Sequence, residues 1–219
     1  WSFRFCEDDP APPVQAFVLE LLRRTGIRKV EGDVIGDATA QLDEPYGPDW
    51  SWEEFQWAYG AKVSALALND GVMELRITPG EPGQPPKIEA VPAFLQPQVR
   101  NLAITARGAG ADDLIVFKPF DTDEFIVSGR FPSGASRRVL RVAVSDPALT
   151  AARWIRDELQ RLGVPVSGGP GARYRRPYLP DAPPPEPGTR LAVIEGQPLE
   201  RILVPVMERS INNYAEVLL

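Results

Sequence analysis

The sequence predicts an α+β fold: an αβ layer domain interrupted by an inserted, mainly antiparallel β domain, followed by a further helical piece. Three features of the chain carry this expectation. A helix–glycine–strand unit occurs near the start and again after the middle, short β-branched runs fill the space between the two, and a Gly- then Pro-rich stretch over 168–188 sets off the last segment.

The first unit places Val14, Phe17, Val18, Leu21 and Leu22 at helical spacing over 14–24, which predicts a helix with one buried face. Gly26 ends it. The stretch 27–35 then reads as a strand, with Gly32 and Gly36 marking a turn or a close approach of two backbones. In the middle, 72–78, 87–91, 102–106, 114–117, 124–129 and 139–144 have the β-branched, alternating texture of strands. Pro79-Gly80-Glu81-Pro82-Gly83 and Gly108-Ala109-Gly110 supply turns between them, so an antiparallel sheet or small barrel is expected.

The second unit repeats the first. Asp146-Pro147 starts a helix that runs through Leu162, Gly163 ends it, and 164–167 reads as extended. From 168 to 188, including Pro183-Pro184-Pro185, a stiff exposed connector is expected. Beyond it, 191–195 reads as a short strand, 199–209 as a helix that tolerates Pro205 poorly, and 212–219 as the start of another helix. The domains that follow are 1–68 with 139–188, a β domain at 69–138 inserted within it, and a last piece at 189–219.

Composition prunes the functions. With 219 residues and 43% of them hydrophobic, the chain can bury one sizeable core or two smaller ones. A net charge of -6 argues against a surface built for nucleic acid or anionic lipid. Cys6 is the only cysteine and there is no histidine, which excludes an internal disulfide, a Ser-His-Asp triad, a Cys-His pair and a histidine-ligated zinc within this chain. No phosphate-cradling glycine motif occurs, so no cofactor is expected. The acidic groups Glu7-Asp8-Asp9 and Asp121-Asp123-Glu124 lack the ligand spacing of a calcium loop and read as solvated charge, so no metal is expected either. No apolar run approaches the roughly 18 residues of a membrane span, and no secretory signal opens the chain. The chain begins on Trp1 and stops on Val217-Leu218-Leu219, so both ends read as cut.

What remains is the segment from Met207 to Leu219, where Ser210 and Asn212 stand two apart between helical stretches. A turn at that spacing aims both side chains into one cleft. There a serine hydroxyl can relay a proton between an amine base and a leaving group, and an asparagine amide can grip a substrate amide or orient a lysine. The plain alternative makes Ser210 an N-cap and Asn212 a turn residue, with Ala215 and Leu218 facing the core.

The run Ser210-Ile211-Asn212, followed by a helix bearing Ala215-Glu216, resembles the second active-site motif of the class C penicillin-binding proteins, the D-alanyl-D-alanine carboxypeptidase-endopeptidase family. Other segments agree in order. The run from Gly26 to Val34 resembles that family's Gly-(Ile/Val)-x-x-Val-x-Gly-Asp segment, Trp50-Ser51-Trp52-Glu53-Glu54 its Trp-x-Trp-x-Asp segment, and Ser64-Ala65-Leu66 its Ser-Ala-Leu segment. Asp146-Pro147 and Gly163-Val164-Pro165-Val166-Ser167-Gly168 continue the series. Two positions depart from the pattern: Ile211 stands where the family usually has Asp, and Glu54 where it has the Asp of its tryptophan segment.

The resemblance implies that 189–219 is a fragment of a penicillin-recognising catalytic domain. It further implies a serine-type hydrolysis of peptidoglycan peptides through an acyl-enzyme, outside the cytoplasmic membrane, with peptidoglycan peptide and beta-lactams as partners of the full-length protein. Ser210 and Asn212 would be catalytic, and Glu54 would hold the free amine of the peptide's diamino acid by a charge-assisted contact. The alternative for Glu54 is a solvated helix face beside Trp50 and Trp52 as core anchors. In the family a Ser-x-x-Lys nucleophile precedes this stretch and a Lys-Thr-Gly strand follows it. Neither occurs here: no serine has lysine three places on, and Lys29, Lys62, Lys87 and Lys118 all lack a following Thr-Gly or Ser-Gly. The chain alone is therefore expected to be inactive, since Ser210 has no activating base. A non-catalytic peptidoglycan-binding or scaffolding protein built from the inserted domains is the alternative function.

Overall fold

The computed structural model describes every residue except 1, 4–10, 96, 109, 111, 178–187, 194–197 and 219. Cys6, the acidic run 7–9 and the proline run 183–185 thus lie outside the described residues. A two-residue strand β1 (Ser2–Phe3) precedes helix α1 (Ala11–Thr25), whose Val14 and Val18 are fully buried as the apolar spacing requires. Gly26 closes α1 in a left-handed conformation at φ 65°, donating its N–H to the Leu22 carbonyl at 2.8 Å.

The strand expected at 27–35 forms later. Val30 makes only an isolated bridge to Val166, and strand β2 is Val34–Leu42. Gly32, at φ 112°, breaks the extended run, and pairing resumes where the carboxylate of Asp33 accepts from the Gly169 N–H at 2.8 Å.

Part of the expected connector is also ordered. Pro170–Arg175 is a strand, β12, lying parallel to β2 from Val34↔Pro170 onward with an irregularity between Arg173 and Arg175. Its composition hid it, because a strand rich in Gly, Pro and Arg draws its order from its partner's hydrogen bonds.

Helix α2 (Pro147–Arg161) covers this pair, capped by the Asp146 carboxylate, which accepts from the Leu149 N–H at 2.8 Å. Trp154 and Leu159 of α2 join Val14, Val18, Val164 and Val166 in one apolar cluster. The helix comes so close to β2 that a Cβ at Gly36 would stand 2.1 Å from the Ala148 carbonyl oxygen. Gly36→Ala is therefore expected to force strand and helix apart and cost about 1–3 kcal/mol. Urea unfolding of the variant checks this; an unchanged midpoint would mean that the two backbones tolerate a methyl group between them.

Between β2 and α2 lie the short strand β3 (Ala67–Leu68), which pairs with β1, and, among the described residues, eight further strands. They are β4 (Val72–Thr78), β5 (Lys87–Val91), β6 (Gln98–Asn101), β7 (Ile104–Ala106), β8 (Ile115–Phe117), β9 (Glu124–Ser128), β10 (Arg130–Pro132) and β11 (Arg138–Ala143). The sheet β11-β4-β5 is antiparallel throughout. In the sheet β6-β9-β8 the β8–β9 pair is antiparallel and the β6–β9 pair parallel, and β7 lies parallel to β10. Period-two alternation turns Met73, Leu75 and Ile77 of β4 and Phe125 and Val127 of β9 inward, where with Phe131 and Val142 they form a second apolar core.

Further along, 191–193 is irregular rather than extended, and the remainder of the strand expected at 191–195 lies outside the described residues. Helix α3 is Leu199–Arg209 and runs through Pro205 without a break; helix α4 is Asn212–Leu218.

Candidate functional site

Between α3 and α4 the backbone turns at Ser210, which is exposed and left-handed at φ 49°, ψ 52°. Ser210 is the residue at which α3 ends, not the one from which α4 starts: the Ile211 carbonyl accepts from Tyr214 N–H at 3.2 Å and Ala215 N–H at 3.4 Å. Nor do Ala215 and Leu218 face the interior, since both are exposed. The buried side chains of α4 are Asn213 and Tyr214.

Side-chain hydrogen bonds fasten α4 to the rest of the molecule. Asn212 Nδ2 donates to the Tyr59 carbonyl at 2.9 Å, and Gln41 Nε2 donates to the Val217 carbonyl at 3.3 Å. Asn213 Nδ2 donates to the Asp70 carbonyl at 3.1 Å and the Tyr214 hydroxyl to Asp70 Oδ1 at 2.8 Å.

Tyr59 belongs to a 3₁₀ turn, Ala58–Gly60, that packs directly on the preceding turn, Trp52–Glu54. A Cβ at Gly60 would lie 2.3 Å from the Glu54 carbonyl oxygen, and Trp57 N–H donates to that oxygen at 2.8 Å. The structure thus brings the Glu54 segment and the Ser210-Ile211-Asn212 bend together through Tyr59. Glu54 is half-buried, and Trp52, 67% exposed, is not a core anchor. Trp50 is half-buried against the Tyr46 ring.

The neighbouring carboxylate Glu53, with Trp52, lines a cavity of about 180 Å³ whose wall is aromatic. Tyr46 and Phe55 stack there with centroids 3.8 Å apart, and Phe120 leans on both. Lys62 pairs with Asp121 at 2.6 Å at its edge. Burial, with Asp121 adding to it, pushes the Tyr46 hydroxyl up to about 12.

Lys118, on the same wall, donates from Nζ to the Ala143 carbonyl at 2.7 Å and lies 3.9 Å from Asp123. Burial, only partly offset by Asp123, pulls its pKa from 10.5 to about 8, and Lys62 adds to the pull. Between those two values the unfolded chain holds a proton that the folded one has released, so stability rises with pH across that window. A gain of about 2 kcal/mol is expected between pH 8 and 9.5, below the range where Tyr46 acts in the opposite sense. Urea unfolding at the two pH values, in the natural chain and in Lys118→Met, checks this. The same gain in both would contradict it.

The bend at Ser210 and the turn Trp52–Glu54 thus stand near each other on an α+β scaffold. The chain belongs to the D-Ala-D-Ala carboxypeptidase 3 (S13) family, which it matches over residues 9–219. It is 30% identical over 200 residues to the D-alanyl-D-alanine carboxypeptidase of an Actinomadura species, a match covering 89% of this chain and 36% of that relative. It is 25% identical over 206 residues to the D-alanyl-D-alanine carboxypeptidase DacB of Haemophilus influenzae, covering 92% of this chain and 40% of that one.

The crystal structure of penicillin binding protein 4 (dacB) from Haemophilus influenzae superposes with a TM-score of 0.68 at 24% identity, over 98% of this chain and 45% of that one. The same protein complexed with a novel beta-lactam gives 0.62 at 23%, over 98% and 43%. Both share the fold. The chain spans about two fifths of the length of the curated relatives it matches.

Sequence reasoning missed Tyr59, Asp70, Asn213 and Tyr214 as parts of this site. The only local signal was the turn-forming run Asn69-Asp70-Gly71 and the pair of polar residues after Asn212.

Proposed function

We propose that the full-length protein is a serine-type D-Ala-D-Ala carboxypeptidase-endopeptidase that cleaves peptidoglycan peptides through an acyl-enzyme, outside the cytoplasmic membrane. This chain supplies one wall of its active site. The supporting observation is the exposed, left-handed Ser210 beside an Asn212 whose amide is already held on the Tyr59 carbonyl. With Nδ2 so committed, Oδ1 of Asn212 is the acceptor for a substrate N–H or a lysine ammonium. Ser210 Oγ passes the proton between the amine base and the departing D-alanine nitrogen. Glu54, one turn from Tyr59, binds the amine of the peptide's diamino acid.

The acylating serine, its lysine and the Lys-Thr-Gly strand belong to polypeptide outside these 219 residues, and the chain by itself is inactive. Its three parts are 1–68 with 139–188, the insertion at 69–138, and the catalytic piece at 189–219. Two separate apolar cores support a division into the first two, with Val142 and Val144 of 139–188 packed in the core of the insertion. The third is supported by α3, whose Leu199, Leu203, Val204 and Met207 form an exposed apolar stripe fit to pack against the rest of the catalytic domain. No helix among the described residues is long and apolar enough to cross a membrane.

Incubating the full-length protein with a fluorescent penicillin, and separately with a peptide ending in D-Ala-D-Ala, tests this. A covalently labelled band and release of D-alanine are expected. A protein that binds peptidoglycan yet takes no label and releases no D-alanine would instead be the non-catalytic scaffold.

A further inference from the structure

Asn69, Asp70 and Gly71 are three successive left-handed residues, at φ 51°, 59° and 68°. Such runs are costly for side-chain-bearing residues, which enter that region singly, so a turn of this kind persists only where its surroundings over-determine it. Here the turn drives a carboxylate inward: Asp70 is 3% exposed, in the loop that leads into β4. Asn69 Nδ2 closes the turn on the Val72 carbonyl at 2.8 Å. On one side, Asp70 faces the Arg141 guanidinium of β11 at 3.6 Å. On the other, its backbone carbonyl and Oδ1 accept from Asn213 and Tyr214, the two residues that directly follow Asn212.

Each of these contacts bridges more than 140 residues of sequence, at 143 and 144 positions apart. They grip α4 at its first turn, where the helix's rotation sets the direction of Asn212 and of the bend at Ser210.

On the reading proposed above, we infer that Asp70 is a positioning residue for the Ser210-Ile211-Asn212 motif, so that the inserted β layer aims the catalytic bend. Asp70 touches no substrate. It acts through Asn213 and Tyr214, holding α4 so that the Ser210 hydroxyl stands where the proton must pass. This gives the insertion a role in the chemistry itself, separate from any ligand it binds, because its first residues form the turn at Asp70, whose arginine comes from β11, the strand paired with β4.

The test uses the full-length protein, measuring penicillin acylation and turnover of a D-Ala-D-Ala peptide in Asp70→Ala, Asp70→Asn and Tyr214→Phe. Misaiming a reactive group by a fraction of its reach is expected to lower the acylation rate and kcat roughly 10- to 100-fold in Asp70→Ala and Tyr214→Phe. KM should change less than about threefold, since the loss falls on the reacting geometry. Asp70→Asn, which keeps an acceptor for Tyr214 and the same tolerance of the left-handed turn, should retain at least about half the rate.

If the wild-type protein takes no label at all, the proposed function fails and this inference fails with it. If the wild type is labelled and both disruptive variants match its rate, the function stands and the inference is overturned. It is equally overturned if the loss merely tracks a lowered Tm and vanishes on cooling, or if Asp70→Asn is as slow as Asp70→Ala. Should Asp70→Ala not fold, Tyr214→Phe carries the test alone, since it removes a single oxygen atom.

Discussion

In the full-length protein, Ser210→Ala is expected to slow acylation by penicillin roughly 100- to 1,000-fold while leaving the fold intact. The size follows from the proposed role: a positioned proton relay contributes on that scale, and no other hydroxyl in the described residues shares the bend. The fold is spared because Ser210 is exposed and sits where α3 has already ended. Its left-handed conformation offers a control. Ser210→Gly removes the hydroxyl and relieves the backbone together, so it should be as slow as Ser210→Ala yet at least as stable. Time courses with a fluorescent penicillin and thermal melts of the two variants separate chemistry from strain. A rate within about threefold of wild type in either would take the proton relay away from Ser210.

The second large effect is on stability. Phe125 is a wholly buried residue of β9, in the core shared by β4, β9 and β11, and the Lys118 ammonium lies 5.8 Å from its ring. Phe125→Ala is expected to cost about 3–5 kcal/mol, the transfer of the ring plus the cavity it leaves. The loss should concentrate in the β layer, because the cluster built on Val14, Val18 and Trp154 shares no residue with it. Hydrogen exchange should therefore show β4, β9 and β11 opening at lower denaturant while α1 and α2 keep their protection. Uniform loss across the chain would mean that the two cores unfold as one.

Much of the scaffold was legible because its elements are locally consistent. Helix α2 announces itself by Asp146, Pro147 and Gly163, and β4 and β5 take the bounds their alternation predicts. What stayed hidden owes its order to distant partners. Strands β6, β10 and β12 are short or polar and exist through the ladders they join, and β2 begins only where Gly32 has turned the chain. The site divides in the same way. The bend at Ser210 and Asn212 could be read from two helices and the residues between them. Its anchors could not: the Tyr59 carbonyl meets Asn212 across 153 positions, and Asp70 is buried for a partner at the far end of the chain. No spacing within either segment encodes those meetings.

The most direct measurement is peptide mapping of the full-length protein after reaction with penicillin, with each adduct located by mass spectrometry. One adduct is expected, on the serine of a Ser-x-x-Lys sequence lying outside these 219 residues, with Ser210 unmodified and Ser210→Ala slow to acquire it. An adduct on Ser210 itself, or none on any serine, would contradict the account.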